Sequence, residues 1–356
     1  MSATSVKSIY GVEYAPSRRA VLVVNLGSPR SPEVVDVRAY LTEFLMDEHV
    51  ISIAYPLRAL LVKGIIAPRR APYSAKNYRT IWDEITRTFP LVAHTARIAE
   101  GLAHQTSMPV AMAMRYGDPS TASALEALTQ IRGLEEVVVL PLYPHYTRSS
   151  FYTAVEHVYS EAKRLGVFYS LSCVRPYYDY PLYRAALADS VRPYLGQDFD
   201  KLIVSLHGIP LSHLARSCVH SNGKTNYCYD RPAEHQSGGA EPCYRYHCES
   251  TARFLAEDLG LSEDRVELVY QSRLGWHPWL KPYMKERIQS LPSEGAKRVL
   301  VVCPGFVCDC LETYYEIDQE YHEEFLAAGG TTFTYIPCLN SSSSCIDLFS
   351  SIISEV

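Results

Sequence analysis

Four acidic side chains are spaced so that they could bind a metal ion together or pass one along. They are Asp309, Glu312, Glu316 and Glu320. At about 100° per residue these positions would occupy one narrow stripe of an α-helix. A solvated acidic face is the ordinary explanation of such a stripe. Here it begins at the end of a predicted strand and carries like-charge repulsion, which a divalent cation would relieve.

A second candidate for chemistry is His207, which directly follows a buried apolar run and precedes Gly208 and Pro210. At such a strand end a side chain can face a cleft while its backbone is held. Imidazole changes protonation near neutral pH, which favours a general base. A hydrogen-bonded structural histidine is the alternative.

Four of the ten cysteines fall in one segment, residues 213–248, which reads as an insertion loop. They are Cys218, Cys228, Cys243 and Cys248. In a reducing compartment, clustered cysteines indicate metal binding rather than disulfides. Four thiolates suit a 2Fe-2S cluster or structural zinc, and the spacing alone leaves both open.

The elements that would position these residues follow from short apolar runs that end abruptly in Gly, Pro or polar residues. Such runs predict strands buried on both faces, as in a parallel sheet. Four are strong and four weaker: residues 21–24, 137–140, 202–205 and 299–302, then 110–114, 168–174, 266–270 and 331–336. Amphipathic stretches of helical length alternate with them. We therefore predict an α/β fold of two similar Rossmann-like, doubly wound domains, each with a mostly parallel four-stranded sheet, and an active-site cleft between them.

The domain division follows from the same alternation. We expect an N-terminal Rossmann-like domain at residues 1–176, with an apolar lip at 51–73. The C-terminal Rossmann-like domain spans 177–340, and residues 341–356 form a helix that packs back on the N-terminal domain. The lip mixes apolar and basic residues, which suits either a core helix with its loop or a surface that meets an apolar ligand or a membrane.

Composition excludes several classes of protein. The 39 acidic and 34 basic residues give a formal charge of -5, so no global positive field attracts nucleic acid. Apolar runs long enough to span a membrane are absent from the sequence, and the first twenty residues lack the apolar core of a signal peptide. We expect a cytoplasmic protein; its oligomeric state is left open.

Seven short motifs stand at or near the predicted strand ends, and together they cover about residues 21–340. They are residues 25–29, 115–120, 140–144, 206–210, 270–275, 278–280 and 303–313. In this order and spacing they resemble ferrochelatase of the bacterial type, the terminal enzyme of haem synthesis.

The resemblance implies a lyase that inserts Fe(II), its substrate, into a porphyrin, with protoporphyrin IX as the first choice. It assigns catalysis to His207 and Glu312, and handling of iron to these two with Asp309, Glu316 and Glu320. His207 would accept pyrrole protons or help to deliver metal. The residues expected to contact the porphyrin are Arg115, Tyr143, Tyr146, Arg148, Trp279 and Phe306.

The resemblance also bears on the lip and on the cysteines. It matches residues 51–73 to an active-site lip, which implies peripheral contact with the inner membrane. Some bacterial ferrochelatases carry a 2Fe-2S cluster with ligands in an internal segment. This favours a cluster on Cys218, Cys228, Cys243 and Cys248, with zinc as the alternative.

Two other functions fit the same motifs. One is a haem or porphyrin carrier without turnover. The other is a chelatase for another metal or another tetrapyrrole, such as coproporphyrin III or sirohydrochlorin. A carrier would need neither a base at His207 nor the carboxylate of Glu312.

Overall fold

A computed structural model describes residues 17–218, 243–273 and 277–356. Its strands are β1 (Arg19–Asn25), β2 (Val110–Met114), β3 (Glu136–Pro141), β4 (Ser170–Cys173), β5 (Lys201–His207), β6 (Val266–Gln271), β7 (Arg298–Val302) and β8 (Thr332–Ile336). Its α-helices are α1 (Val34–Leu45), α2 (Tyr55–Leu61), α3 (Ala67–Thr80), α4 (Pro90–Thr106), α5 (Thr121–Thr129), α6 (Thr153–Leu165), α7 (Pro181–Val191), α8 (Leu211–Ser217), α9 (Tyr244–Leu259), α10 (Met284–Ser290), α11 (His322–Ala327) and α12 (Ser343–Glu355).

These strands form two sheets of four. The first has the order β2-β1-β3-β4 and the second the order β6-β5-β7-β8. Every pairing in both sheets is parallel. The predicted α/β class with two parallel four-stranded sheets is confirmed, and each strong apolar run lies in one of the two central strands of its sheet.

The central strands form because their side chains are apolar on both faces. Val21 to Val24 of β1 and Leu202 to Val204 of β5 are almost wholly removed from solvent. Helices cover both faces of a parallel sheet, so alternation of polar and apolar residues is not required. At Gly27, which has φ +104°, a Cβ atom would lie 1.8 Å from the Tyr116 carbonyl oxygen, so only glycine fits this close approach.

The chain divides into two compact units. The first comprises the described residues up to Leu142, then Arg148–Arg175 and Asn340–Val356. Tyr143–Thr147 belongs with Pro176–Leu339 in the second, although it precedes the predicted boundary in sequence. In the first unit α12 packs on α4: Gln105 donates to Asp347 at 2.9 Å, and Gly101 gives Ile346 room to approach.

Three described segments have the wider π-helical turn, namely Val62–Ile66, Arg148–Tyr152 and Glu312–Tyr321. Such turns are rare and often mark functional sites. Short 3₁₀ turns occur at Arg192–Tyr194 and Glu263–Arg265. Within the described ranges, no helix is long and apolar enough to cross a membrane.

Candidate active site

The second unit carries His207 as the last residue of β5, half-buried at the carboxyl edge of the sheet. Its Nδ1 lies 2.7 Å from the carbonyl oxygen of Gly208. A carbonyl oxygen only accepts, so Nδ1 carries the proton and Nε2 keeps a lone pair. This tautomer leaves Nε2 as the basic nitrogen of the site.

The acid–base state of His207 is set by two opposing influences. Burial lowers the pKa of the imidazole, whereas the nearby Glu312 carboxylate and the hydrogen bond to Gly208 raise it. The net direction is downward, so the ring is neutral at pH 7 and can accept a proton. Glu312 is close enough to stabilise the imidazolium that would result.

Glu312 begins the π-helix Glu312–Tyr321, and Glu316 and Glu320 follow at four-residue intervals. Because a π-helix closes its hydrogen bonds over five residues, side chains four apart stay on nearly one face. All three carboxylates are half-buried. The hydroxyl of Ser272, just beyond β6, donates to Glu316 at 2.8 Å. The line of three carboxylates therefore leads away from His207 along one helix.

Asp309 is not part of the same helical stripe, and its expected part in handling iron stays a prediction. Asp309 precedes the helix and is fully buried. Its Oδ1 accepts hydrogen bonds from the hydroxyls of Thr313 and Tyr335 and from the backbone N–H of Cys338. These hydrogen bonds tie the Asp309 carboxylate to the start of the π-helix and to β8.

A preassembled metal centre is not visible in the part of the chain that the structure describes. There, no three His, Cys, Asp or Glu side chains are grouped so that they could hold a metal ion. His207 and Glu312 are thus a pair rather than a complete ligand set.

Two of the expected porphyrin contacts, Trp279 and Phe306, lie in loops of the second unit. Trp279 forms an antiparallel bridge with Pro210, just after His207. A Cβ atom on Gly208 would come within 3.2 Å of the Trp279 ring, so the glycine admits the indole. Phe306 follows β7 and is partly buried against the core of this unit.

Tyr143 and Tyr146 also belong to the second unit, and both are buried. The backbone N–H of Tyr146 donates to Nδ1 of His247 at 3.3 Å. Between the two tyrosines, Nε2 of His145 lies 2.8 Å from the Thr251 hydroxyl. The segment is therefore fastened to α9, so its tyrosines are part of the packed interior.

Arg115, which is expected to contact the porphyrin, is paired within the first unit. Its guanidinium donates to Asp47 at 2.5 Å and to Thr153 at 3.0 Å, and only 14% of its side chain is exposed. Arg115 is thus half of a buried ion pair in the first unit. Arg148 is half-buried and stacks its guanidinium 4.9 Å from the centre of the Tyr152 ring.

Three residues near His207 were missed as site residues from sequence. Gln271 ends β6 in register with His207, accepts from Ser205 at 2.7 Å, and among the described residues its buried Nε2 has no hydrogen-bond partner. Tyr244 donates to the His207 carbonyl at 2.8 Å. Cys310 is a buried thiol whose pKa is raised by burial and then by Glu312. Gln271 could have been predicted from the sequence, since it directly follows a predicted strand and the carboxyl ends of parallel strands lie at one edge of the sheet.

The cysteines of the 213–248 segment are only partly brought together. Cys218 follows α8 and Cys243 precedes α9, both half-buried, whereas Cys248 within α9 is fully buried. Burial raises the pKa of the Cys248 thiol well above its usual value, and the neighbouring Cys243 adds to this. Cys228 lies outside the described residues.

The lip of the first unit is an exposed apolar surface. Tyr55, Leu57 and Leu60 on α2 are 61%, 58% and 67% exposed. Arg58, by contrast, is buried and donates to the carbonyls of Ile51 and Ile53. The basic residues that remain exposed are Lys63, Arg69 and Arg70.

The family model for ferrochelatase matches residues 18–356. A ferrochelatase of Porphyromonas gingivalis is 47% identical over 342 residues, covering 95% of this chain and 96% of that protein. One of Azotobacter vinelandii is 42% identical over 90% of this chain and 94% of that protein.

Among solved structures, SirB from Bacillus subtilis with Fe3+ matches with a TM-score of 0.53 at 12% identity, covering 95% of each chain. At that identity the likeness concerns the fold alone. The family match spans both sheets and the strand ends that carry His207 and Glu312. The chain therefore belongs to the ferrochelatase family, the enzymes that insert ferrous iron into a porphyrin in haem synthesis.

Proposed function

We propose that His207 and Glu312 carry out the chemical step of metal insertion. The observation that supports this most directly is the fixed tautomer of His207, which leaves Nε2 basic beside the Glu312 charge. Insertion of Fe(II) releases two protons from the pyrrole nitrogens as four iron–nitrogen bonds form. The neutral imidazole accepts these protons in turn and releases each to water, and Glu312 stabilises the imidazolium in between.

The test is His207→Ala, assayed anaerobically with Fe(II) and protoporphyrin IX by the change of the porphyrin spectrum to that of haem. We expect loss of conversion with porphyrin binding retained, since the imidazole is needed for the chemistry. Conversion at the wild-type rate would contradict the assignment.

We propose that Glu316 and Glu320 deliver iron to this pair. Carboxylates are hard, weakly held hosts for Fe(II), and their alignment on one helix provides successive sites. Replacing both by Gln should raise the KM for iron and leave the KM for porphyrin unchanged. The matched control is Glu323→Gln with Glu324→Gln on α11, which should change neither.

For the porphyrin we propose contact with the aromatic side chains of Trp279, Phe306, Tyr143 and Tyr146. We also propose that Arg148, and Arg115 if it leaves Asp47, pair with the propionates. In support, the backbone of Trp279 bridges Pro210, and its ring lies close to Gly208, the residue after the base. Trp279→Ala should weaken porphyrin binding, measured by fluorescence quenching. The control is Trp82→Ala, whose indole packs on Phe89 in the first unit.

We further propose protoporphyrin IX as the substrate and peripheral membrane contact of a cytoplasmic protein through the lip. Exposed apolar side chains beside exposed cations suit an anionic lipid surface and a porphyrin with an apolar edge. Leu57→Glu with Leu60→Glu should reduce flotation with vesicles that contain anionic lipid. Ile85→Glu, at a side chain 94% exposed outside the lip, is the control. Comparing kcat/KM for protoporphyrin IX and coproporphyrin III tests the choice of substrate.

Finally, we propose that the four-cysteine segment binds a 2Fe-2S cluster, with zinc as the alternative. In support, Cys243 and Cys248 are near enough for the charge of one to act on the other. The described residues do not assemble a complete set of cluster ligands. Visible charge-transfer bands in anaerobically purified protein, lost in Cys243→Ala but kept in Cys173→Ala, would support the cluster. Stoichiometric zinc without these bands would overturn it.

A further inference from the structure

The backbone that follows His207 is held from outside its own strand. The carbonyl of His207 accepts from the Tyr244 hydroxyl at 2.8 Å. The N–H of Gly208 donates to the Gln271 carbonyl at 2.9 Å. One peptide plane is thus hydrogen-bonded at both of its polar groups.

This peptide plane directly precedes the one whose carbonyl binds the imidazole. Gly208 carries the carbonyl that accepts the Nδ1 proton of His207, and glycine has the greatest backbone freedom of any residue. Glycine is nevertheless required, because a Cβ atom would lie 2.9 Å from the Gln271 carbonyl oxygen. A strand end with such freedom needs external bonds to keep the carbonyl of Gly208 opposite Nδ1.

Tyr244 supplies one of these bonds from a different element. It is the first residue of α9, directly after Cys243, and is 5% exposed. A phenol can donate only one hydrogen bond, and here the acceptor is the His207 carbonyl oxygen. The ring packs edge-on against His145 at 6.3 Å between centroids, which fixes its direction. The tyrosine therefore connects the cysteine segment to the base.

Tyr270 provides a contrast within the same interior. It is 2% exposed, and its hydroxyl, like that of Tyr244, lies beside the Cys248 thiol. In the described part of the chain, Tyr270 makes no hydrogen bond to the backbone of the β5 end through its hydroxyl. The two tyrosines share burial and a sulfur neighbour but differ in contact with His207.

We propose that Tyr244 is a positioning residue for metal insertion. By holding the His207 carbonyl it keeps the Gly208 carbonyl on Nδ1, and so keeps the lone pair of Nε2 available to the porphyrin. This inference rests on the proposed role of His207 as base. It adds a residue outside the seven family-like motifs to the machinery of the reaction.

The experiment compares Tyr244→Phe, Tyr270→Phe and His207→Asn in the full chain. Kcat and KM for protoporphyrin IX are measured with Fe(II), together with the thermal midpoint. Tyr244→Phe should lower kcat by about tenfold at unchanged KM, the upper range for one neutral hydrogen bond. Tyr270→Phe should leave kcat unchanged, because its hydroxyl does not hold the base.

A second measurement separates positioning from mere stability. In protein labelled with ¹⁵N-histidine, the resonances that disappear in His207→Asn identify the two ring nitrogens of His207. In the wild type Nδ1 should be protonated, and in Tyr244→Phe the two tautomers should mix. This signature holds at low temperature even if the variant is less stable.

Three results would overturn the inference. Wild-type kcat in Tyr244→Phe, with His207→Asn inactive, removes the role of Tyr244 and leaves the proposed base intact. Equal losses in Tyr244→Phe and Tyr270→Phe, parallel to their thermal midpoints, assign Tyr244 a structural role only. Full activity of His207→Asn removes the base, and the role of Tyr244 with it.

Discussion

The two sheets have the same strand order, yet the residues that end the corresponding strands β1 and β5 have different roles. β1 ends in Asn25 and β5 ends in His207, and a glycine follows soon after each. Asn25 is 5% exposed and fully engaged: its amide donates to Thr95 at 2.9 Å and its oxygen accepts from Leu26 at 2.8 Å. His207 is half-buried and keeps Nε2 available. The topology provides the position, and the residue type and its local partners decide whether chemistry occurs there.

The charged pairs repeat this contrast. In the first unit, Arg115 and Asp47 lie 2.5 Å apart, and Asp47 also accepts from Thr153 and Tyr116. In the second unit, the Glu312 carboxylate acts on His207 and on the Cys310 thiol. In the first pair both charges are hydrogen-bonded, so removal of either partner would leave a buried charge unpaired. The second holds a base whose protonation can change.

Replacing His207, the last residue of β5, should reduce activity strongly while changing stability little. His207→Asn places in the second sheet the residue that the first one has, and we expect kcat to fall by about 10² to 10⁴ because the general base is lost. Folding should be little affected. Metal insertion and the thermal midpoint are measured together.

The matched change in the first sheet is Asn25→Ala. It should cost about 1–3 kcal/mol of unfolding free energy, because buried partners lose their hydrogen bonds. The activity of the protein that remains folded should persist. A loss of kcat in folded Asn25→Ala as large as in His207→Asn would break the comparison.

The buried pair of the first unit should give the next largest effect. Burial alone would raise the pKa of Asp47, but hydrogen bonds from Thr153, Tyr116 and the His49 N–H lower it, and Arg115 adds to this. Asp47→Ala leaves a buried cation unpaired and should cost about 3–5 kcal/mol in urea unfolding at pH 7.

The lowered pKa of Asp47 predicts that the free energy of unfolding depends on pH. The pKa of Asp47 is lower in the folded than in the unfolded protein. The ionised carboxylate therefore stabilises the fold fully at pH values above its ordinary pKa of about 4, and this stabilisation is lost as pH falls through the folded-state pKa. The difference in stability between the wild type and Asp47→Asn should therefore shrink in acid. A difference that grew below pH 4 would contradict the hydrogen-bonding account.

The smallest effect concerns the titration of His207. Its pKa lies below the ordinary 6.5, since burial outweighs the charge of Glu312. Glu312→Gln removes an influence that raises the pKa, so the midpoint should move further down. NMR titration of the His207 ring in both proteins measures this. An upward move would show that Glu312 does not act on the imidazole.

The sequence was sufficient for the fold because apolar runs without alternation identify parallel strands. Each of the eight predicted runs overlaps one strand, although 168–174 and 331–336 extend beyond β4 and β8. The acidic stripe assumed one α-helix from Asp309 onward, whereas the segment Glu312–Tyr321 is π-helical and Asp309 lies before it. The ion pair of Arg115 could not be predicted, because its partner, Asp47, lies 68 residues away in sequence. Local sequence patterns do not show which distant carboxylate will form an ion pair with a given arginine.

The most direct test of the central claim, that His207 and Glu312 perform the insertion, is a single-turnover reaction of Glu312→Gln. Porphyrin is bound first, with affinity followed by fluorescence quenching, and Fe(II) is then added anaerobically while the spectrum is recorded. We predict porphyrin affinity equal to that of the wild type and no conversion to haem on the time scale of the wild-type reaction. Conversion at the wild-type rate would contradict the account.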